Sequence, residues 1–316
     1  MLVADPSVGG AAYKLAEIFR YGQQQPHLRM RLWLPPDTAL PPESPWWPLA
    51  TPGTLFSHPH PAPALLLLSD AADWRVANRV YGPRRDLPRI HLITGTDLRH
   101  WGHGALDQPA VRVALGESVA EGLRGLQWVR EPLEVLPIGI DPDALPPAQP
   151  VKKGCLVLAR DHPVLGLAVQ QALAAQGVPC LCELSRWPEE RWQRALARAA
   201  VVILIGSPDG VPSLGLRRLT AMAMGAALVL DERPFPDGLQ RDGQNALVRL
   251  PDAAELAQAA VQLLGDAVLR DRLVQGGKAL LLRHRSALER LRFQQVLEQI
   301  PHHWSAAQQS HATQFS

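Results

Sequence analysis

The residues best placed to handle a charged ligand lie between Val201 and Arg218. Val201–Ile205 is an unbroken apolar run stopped by Gly206-Ser207-Pro208, and a helix pattern opens further on at Gly215-Leu216. A strand that hands over to a helix through a glycine-bearing loop presents free backbone amides at the helix start, and such amides attract phosphate. Arg217 and Arg218 stand in the first turn of that helix. Positive charge is locally unfavourable there against the helix dipole, and a bound anion removes the penalty. Asp209 in the loop is placed to accept from a ligand hydroxyl, although loop aspartates commonly satisfy backbone amides instead.

A second group is Leu98-Arg99-His100-Trp101-Gly102-His103, just past the strand pattern Ile90–Thr94. His100 or His103 is suited to contact a hydroxyl or a phosphate, and Trp101 has the face to stack on a ligand ring. With nine tryptophans in the chain most are structural, and Trp46-Trp47 in a proline-rich stretch reads first as loop packing. Cys155, Cys180 and Cys182 are an odd set that fits a reducing compartment, and Cys180 and Cys182 share one face of a strand. No nearby histidine or carboxylate spacing completes a zinc site, so they read as buried thiols. No G-x-G-x-x-G follows a strand, which disfavours a dehydrogenase.

These residues need a scaffold, and the chain supplies alternating strands and helices, the pattern of layered α/β architecture with parallel sheets. In the first half the strand candidates are Leu2–Ala4, Leu28–Leu34, Leu65–Leu68, Ile90–Thr94, Val111–Leu115 and Leu133–Ile138. Helices are expected over Ala11–Tyr21, Asp73–Tyr81 and Glu117–Leu126. Residues 35–63 hold ten prolines and read as irregular. Asp141–Pro150 packs four more and reads as a linker. Beyond it come strands at Cys155–Ala159, Val178–Glu183, Val201–Ile205 and Ala227–Leu230. The helices there are Val164–Gln176, Pro188–Ala199, Leu216–Met224, Ala253–Leu264 and Val268–Arg285, with a frayed tail after Pro301. The division is 1–145, 151–290 and a terminal 291–316.

The chain has 316 residues, 47% hydrophobic and 20% charged, which suits two globular domains. A net charge of +2 gives no case for a nucleic-acid binder. Residues 1–150 carry 13 Lys and Arg against 15 Asp and Glu, while 151–316 carry 19 against 15, so the second half is the better host for an anion. No apolar run nears the ~18 residues of a membrane span, and no signal-peptide pattern opens the chain, so a cytoplasmic location is expected. Arg270–Arg292 holds seven cations against two acids. A solvated helix face is the default there, and docking on an anionic membrane surface is the alternative.

Several segments, in order, resemble the large retaining GT-B glycosyltransferase family, the fourth in the sequence classification (glycosyl transferases group 1). RVALGESVAEG at Arg112–Gly122 resembles its I-x-V-S-E-x-V-A-E unit, and LPIGID at Leu136–Asp141 its I-P-N-G-V-D. LARDHPVLG at Leu158–Gly166 resembles V-G-R-x-x-x-x-K-G. LTAMAMGAALVL from Leu219, followed by DGQNALV from Asp242, resembles L-E-A-M-A-x-G-x-x-V-V followed by D-G-x-N-G-L-L-V. Ser7-Val8-Gly9-Gly10 is similar to its first glycine loop.

The resemblance implies an α/β GT-B fold, two Rossmann-like domains facing a cleft, with a nucleotide-diphosphate sugar as substrate, retention at the anomeric carbon, and neither cofactor nor metal. It places the donor on Gly9, Gly10, Arg160, Ser213, Leu214, Gly215, Leu216, Arg217, Arg218 and Thr220, with Arg160, Asp97 and His103 as the residues of the chemistry. The acceptor it implies is a glycan or a lipid-linked molecule, in cell-envelope polysaccharide assembly, with peripheral contact at the inner face of a membrane. The family's two glutamates fall on Pro212 and Thr220, its phosphate-binding lysine on Leu165 and its histidine on Thr96. These departures keep open a second reading, a non-catalytic homologue that binds or serves as a partner subunit.

Overall fold

The computed structural model describes residues 2–3, 10–34, 39–58, 60–69, 71–82, 84, 86–95, 105, 108–126, 132–149, 151–185, 187, 189–206, 215–231 and 239–314. They form two compact units, Met1–Pro137 with Glu289–Ser316, and Ile138–Leu288. The division falls ahead of the proline-rich segment because Ile140 already pairs with Arg285 and the Gln149 amide donates to the Ala197 carbonyl. Those contacts tie 140–149 to the second unit rather than leaving them as a free linker.

The first unit is built on strands β1 (Leu2–Val3), β2 (Leu32–Trp33), β3 (Leu55–Phe56), β4 (Leu66–Leu68), β5 (Arg89–Ile93), β6 (Val111–Leu115) and β7 (Leu133–Leu136). All neighbours are parallel, in the order β3-β2-β1-β4-β5-β6-β7. The chain runs outward from β1 on one side, then returns to build β4 on the other, and ligands of open α/β sheets bind at such a reversal. Helices α1 (Gly10–Gln23), α2 (Ala71–Tyr81) and α3 (Glu117–Arg124) connect the strands. Strands β4 to β6 are buried along their whole length, and apart from Arg89, His91 and Arg112 their residues are apolar, as burial on both faces requires.

Strand β3 was not anticipated, since it lies in the proline-rich stretch. Its two residues add to β2 through Leu32–Leu55 and Trp33–Phe56, and an edge strand needs no more than that. One polar core stands out. Arg112 and His91 are fully buried, with an Arg112 nitrogen 2.7 Å from His91 Nδ1, and both Arg89 and Arg112 lie over the Trp74 ring.

The second unit carries β8 (Cys155–Leu158), β9 (Cys180–Glu183), β10 (Val201–Leu204), β11 (Ala227–Asp231) and β12 (Leu247–Arg249) in the parallel order β12-β11-β10-β8-β9. Its helices are α4 (Pro163–Ala175), α5 (Glu189–Arg198), α6 (Leu216–Ala223), α7 (Ala253–Gly265) and α8 (Ala267–Leu281). Local chemistry sets the boundaries. Pro163 opens α4, Asp252 accepts from the Ala254 and Glu255 amides to cap α7, and Asp266 accepts from Leu269 to cap α8. Val157, Val201, Ile203, Val229, Val169 and Leu256 meet in one core beneath these helices. Here the order reverses between β8 and β10.

The last helix, α9 (Ser286–Gln314), belongs to the first unit from Glu289 onward. It runs through Pro301, where the sequence reads as the start of a frayed tail. Trp304 and Ala307 are buried on the far side of that proline, so packing outweighs the lost amide. Lys14 of α1 bonds Glu289 at 2.8 Å with both side chains buried, and Tyr21 donates to the same carboxylate at 3.1 Å.

Candidate functional site

In the second unit the carboxyl ends of β8 and β10 are where the strand order reverses, and charged side chains follow β8. After β8 come Ala159, Arg160, Asp161 and His162. Their loop is held down by Gly166, since a Cβ there would lie 2.2 Å from the Ala159 Cβ. Only a glycine lets the start of α4 sit that close to the strand end. Arg160 is 37% exposed and its Nε donates to Asp161 at 3.0 Å.

After β10 come Ile205 and Gly206, and the Gly206 amide donates to Asp231 Oδ2 at 2.9 Å. Asp231 is fully buried at the end of β11, so a carboxylate under the sheet fixes where this loop departs. The described chain resumes at Gly215, whose φ of +67° is left-handed, and α6 begins at Leu216. An L side chain at 215 would resist that turn.

The first turn of α6 sends its two arginines in different directions. Arg217 reaches β9 and grips Glu183 with both terminal nitrogens, at 2.8 and 3.1 Å. Glu183 is buried while Arg217 remains 28% exposed, so the pair has a covered end and an open end. Burial pushes the Glu183 carboxyl up, against the pull of Arg217, and burial also draws Arg217 down from its usual value. The Arg160 charge acts on both members, so this guanidinium lies within electrostatic reach of the pair. Arg218, the next residue round the helix, turns inward. It is buried and donates to Gln240 Oε1 at 3.1 Å, so it faces the core and not the open side.

Thr220 is also turned away from solvent. Its hydroxyl donates to the Leu216 carbonyl at 2.8 Å and it is 7% exposed. Leu165, where the resemblance sets a lysine, packs against the apolar core. Asn245 closes its own turn, donating to the Leu239 carbonyl and accepting from the Arg241 amide. Of the first unit's expected donor residues, Gly10 is the opening residue of α1, at the end of the loop that follows β1. Gly9, Thr96, Asp97, His100, Trp101, His103, Asp209, Pro212, Ser213 and Leu214 lie outside the described residues.

Glu183 and Asp231 were not singled out from sequence. Both are buried carboxylates at the carboxyl end of a parallel strand, and that position was the available signal, because open α/β sheets gather their sites at strand carboxyl ends. Among the described residues no group of histidines, cysteines and carboxylates is arranged to hold a metal, and no helix is long and apolar enough to cross a membrane. The basic run Arg270–Arg292 is partly committed to structure. Arg270 donates to the Leu263 and Leu264 carbonyls at the end of α7, and Arg292 pairs with Glu134.

No protein-family model matches the chain, and no curated protein matches it by sequence. Solved structures do match it in shape. Sucrose-phosphate synthase of Thermosynechococcus elongatus superposes with a TM-score of 0.68 at 13% identity, covering 94% of this chain and 98% of its own. The Anabaena protein HepE, solved with UDP and glucose, gives 0.69 at 14%, covering 95% and 98%. A glycosyltransferase of Rickettsia africae gives 0.67 at 10%, covering 95% and 97%. The similarity spans both units, and the chain has the GT-B fold.

Proposed function

We propose that this chain is a retaining glycosyltransferase that moves a sugar from a nucleotide-diphosphate donor onto a glycan or lipid-linked acceptor in cell-envelope polysaccharide assembly. The observation that carries the reading is the placement of Arg160 just after β8 and of Arg217 in the first turn of α6, beyond the two strands that flank the strand-order reversal of the second unit, with the buried Glu183 fixing Arg217. As the bond between the anomeric carbon and the leaving oxygen breaks, negative charge develops on the departing diphosphate. Two positioned guanidiniums lower the barrier by stabilising that charge. In this reading Arg217 takes the part that a lysine at position 165 would play. The reading calls on no metal, because the two arginines provide the countercharge.

The same reading assigns donor binding to Gly9, Gly10 and Ser213–Leu216 as well, and the chemistry at the sugar and the acceptor hydroxyl to Asp97 and His103. Arg218 and Thr220 support α6 from within, with Thr220 as the remnant of a ribose contact. Relatives in shape support the assignment: HepE is solved with UDP-glucose, and TarM of S. aureus with UDP and alpha-GlcNAc-glycerol. Contact with the inner face of a membrane falls to Arg283 and Arg285, beside Leu282 and Leu288, which are 67% and 45% exposed.

One observation favours the second reading, a non-catalytic homologue: Thr220 is buried and spends its hydroxyl on its own helix, so the second glutamate position offers nothing to a ribose. A donor screen separates the two. Incubation with labelled UDP-, GDP- and CMP-sugars and a glycan or polyprenyl acceptor should release nucleotide from one donor, with the anomeric configuration kept in the product. Nucleotide binding without release from any donor would favour the partner subunit.

A further inference from the structure

We propose that Cys155 and Cys180 form a reversible thiol–disulfide site, with Cys180 as the entry thiol and Cys155 as the resolving one, responsive to a low-molecular-weight disulfide. Strand register carries the inference. Cys155 of β8 stands directly opposite Cys180 of β9 in a parallel ladder, and both side chains pack on the same apolar cluster. Adjacent strands lie about 4.8 Å apart, inside the roughly 4.4–6.8 Å that a disulfide spans between Cα atoms. The third cysteine is out of register. Cys182 stands opposite Val157 and its sulfur lies 3.6 Å from the Gly166 carbonyl.

The two sulfurs differ in reactivity. Cys155 is 5% exposed, whereas Cys180 is half-buried on the sheet's edge strand, next to Leu181 at 53% exposure. The neighbouring Cys155 thiol draws the Cys180 thiol below its ordinary value, while burial pushes Cys182 up to about 12. A lowered thiol supplies more of the attacking thiolate, and a raised one supplies less.

The step balances with glutathione disulfide as oxidant. The Cys180 thiolate attacks one sulfur of the reagent, its S–S bond breaks and one glutathione leaves as thiolate. Cys155 gives up its proton and attacks the Cys180 sulfur of the mixed disulfide, expelling the second glutathione. Two protein thiols are oxidised, and one disulfide is reduced to two thiols. The bond would join β8 to β9 three residues before Leu158 and Glu183, on the two strands whose ends present Arg160 and anchor Arg217.

The test uses the full chain treated with glutathione disulfide, quenched with N-ethylmaleimide and mapped by non-reducing peptide mass spectrometry. The expected product links Cys155 to Cys180, leaves Cys182 as a thiol, and returns to three thiols on addition of dithiothreitol. Cys155→Ala should stop at a glutathione adduct on Cys180, and Cys180→Ala should leave Cys155 unmodified. In the unsubstituted chain, an unreacted Cys180, an adduct that never closes, or a bond to Cys182 would each overturn the proposal, so the result does not depend on the variants folding.

Discussion

Arg217 and Glu183 divide their surroundings unequally, the cation 28% exposed and the carboxylate 1%. Removing the cation therefore strands a buried charge. Breaking such a pair costs about 3–5 kcal/mol, and the open side of Arg217 puts this one at about 3 kcal/mol. Arg217→Ala should lose about that much stability in chemical denaturation, and adding Glu183→Gln should restore most of it by removing the stranded charge. The same double variant should still bind nucleotide at least tenfold more weakly than the parent in equilibrium titration, because a charge-assisted contact of about 1.5–3 kcal/mol is gone. Recovery of both stability and affinity would mean that Arg217 serves the fold alone. The sequence points to Arg217 through its place in the first turn, but it treats Arg218 alike. Only the rotation of about 100° per helical residue, set against a known core, sends the second arginine inward.

At the scale of elements, two contacts decide what the site and the chain's end can be. Gly166 admits α4 onto β8, and its Cβ would sit 2.2 Å from Ala159. Gly166→Ala gains about 1 kcal/mol of helix propensity and incurs about 1–3 kcal/mol of overpacking. It should come out destabilised in thermal unfolding, with weakened nucleotide binding as the Arg160 loop shifts. An unchanged melting temperature would contradict the close approach. For α9, truncation after Ile300 should sharply destabilise the first unit, because it removes the buried Trp304 and Ala307. A frayed tail would be lost without effect. Most strands and helices with strong apolar period are legible in the sequence within a residue or two, though β2 begins at Leu32 and not Leu28, and α8 ends at Leu281 and not Arg285. The exceptions are instructive: β3 sits among prolines, β12 is Leu247–Arg249 after a turn, and α9 passes through Pro301. Each exists because a neighbouring element offers it a ladder or a buried face, which local propensity does not encode.

Across the molecule, two buried groups of the first unit set opposite pH responses. Burial and the Arg112 charge hold His91 well below its ordinary value of 6.5, so the unfolded chain binds a proton that the fold refuses, and stability falls as pH drops below 6.5. Burial pushes Glu289 up from 4.5 to about 7, so its contribution is full below 4.5 and is lost as pH rises toward 7. Between those values the two slopes offset. Glu289→Gln should therefore gain stability with rising pH more steeply than the parent from 4.5 to 6.5, in denaturant midpoints taken across that window. Much of the overall fold is legible from the order of the motifs, whereas the charged site is not. The residues where a GT-B donor site is expected to be acidic or basic read as Pro212, Thr220 and Leu165, and Glu183, the carboxylate that holds Arg217, comes from a distant strand that no motif marks. The central claim is that Arg160 and Arg217 seat a diphosphate. The direct test is thermal unfolding of the parent and of Arg160→Ala, which leaves the Glu183–Arg217 pair intact, with UDP, GDP and CDP titrated in turn. The account predicts a saturable rise in melting temperature for one of these in the parent, as ligand linkage requires, and a tenfold or larger rise in the concentration needed by Arg160→Ala. No rise with any of the three, or a rise that the substitution leaves unchanged, would contradict it.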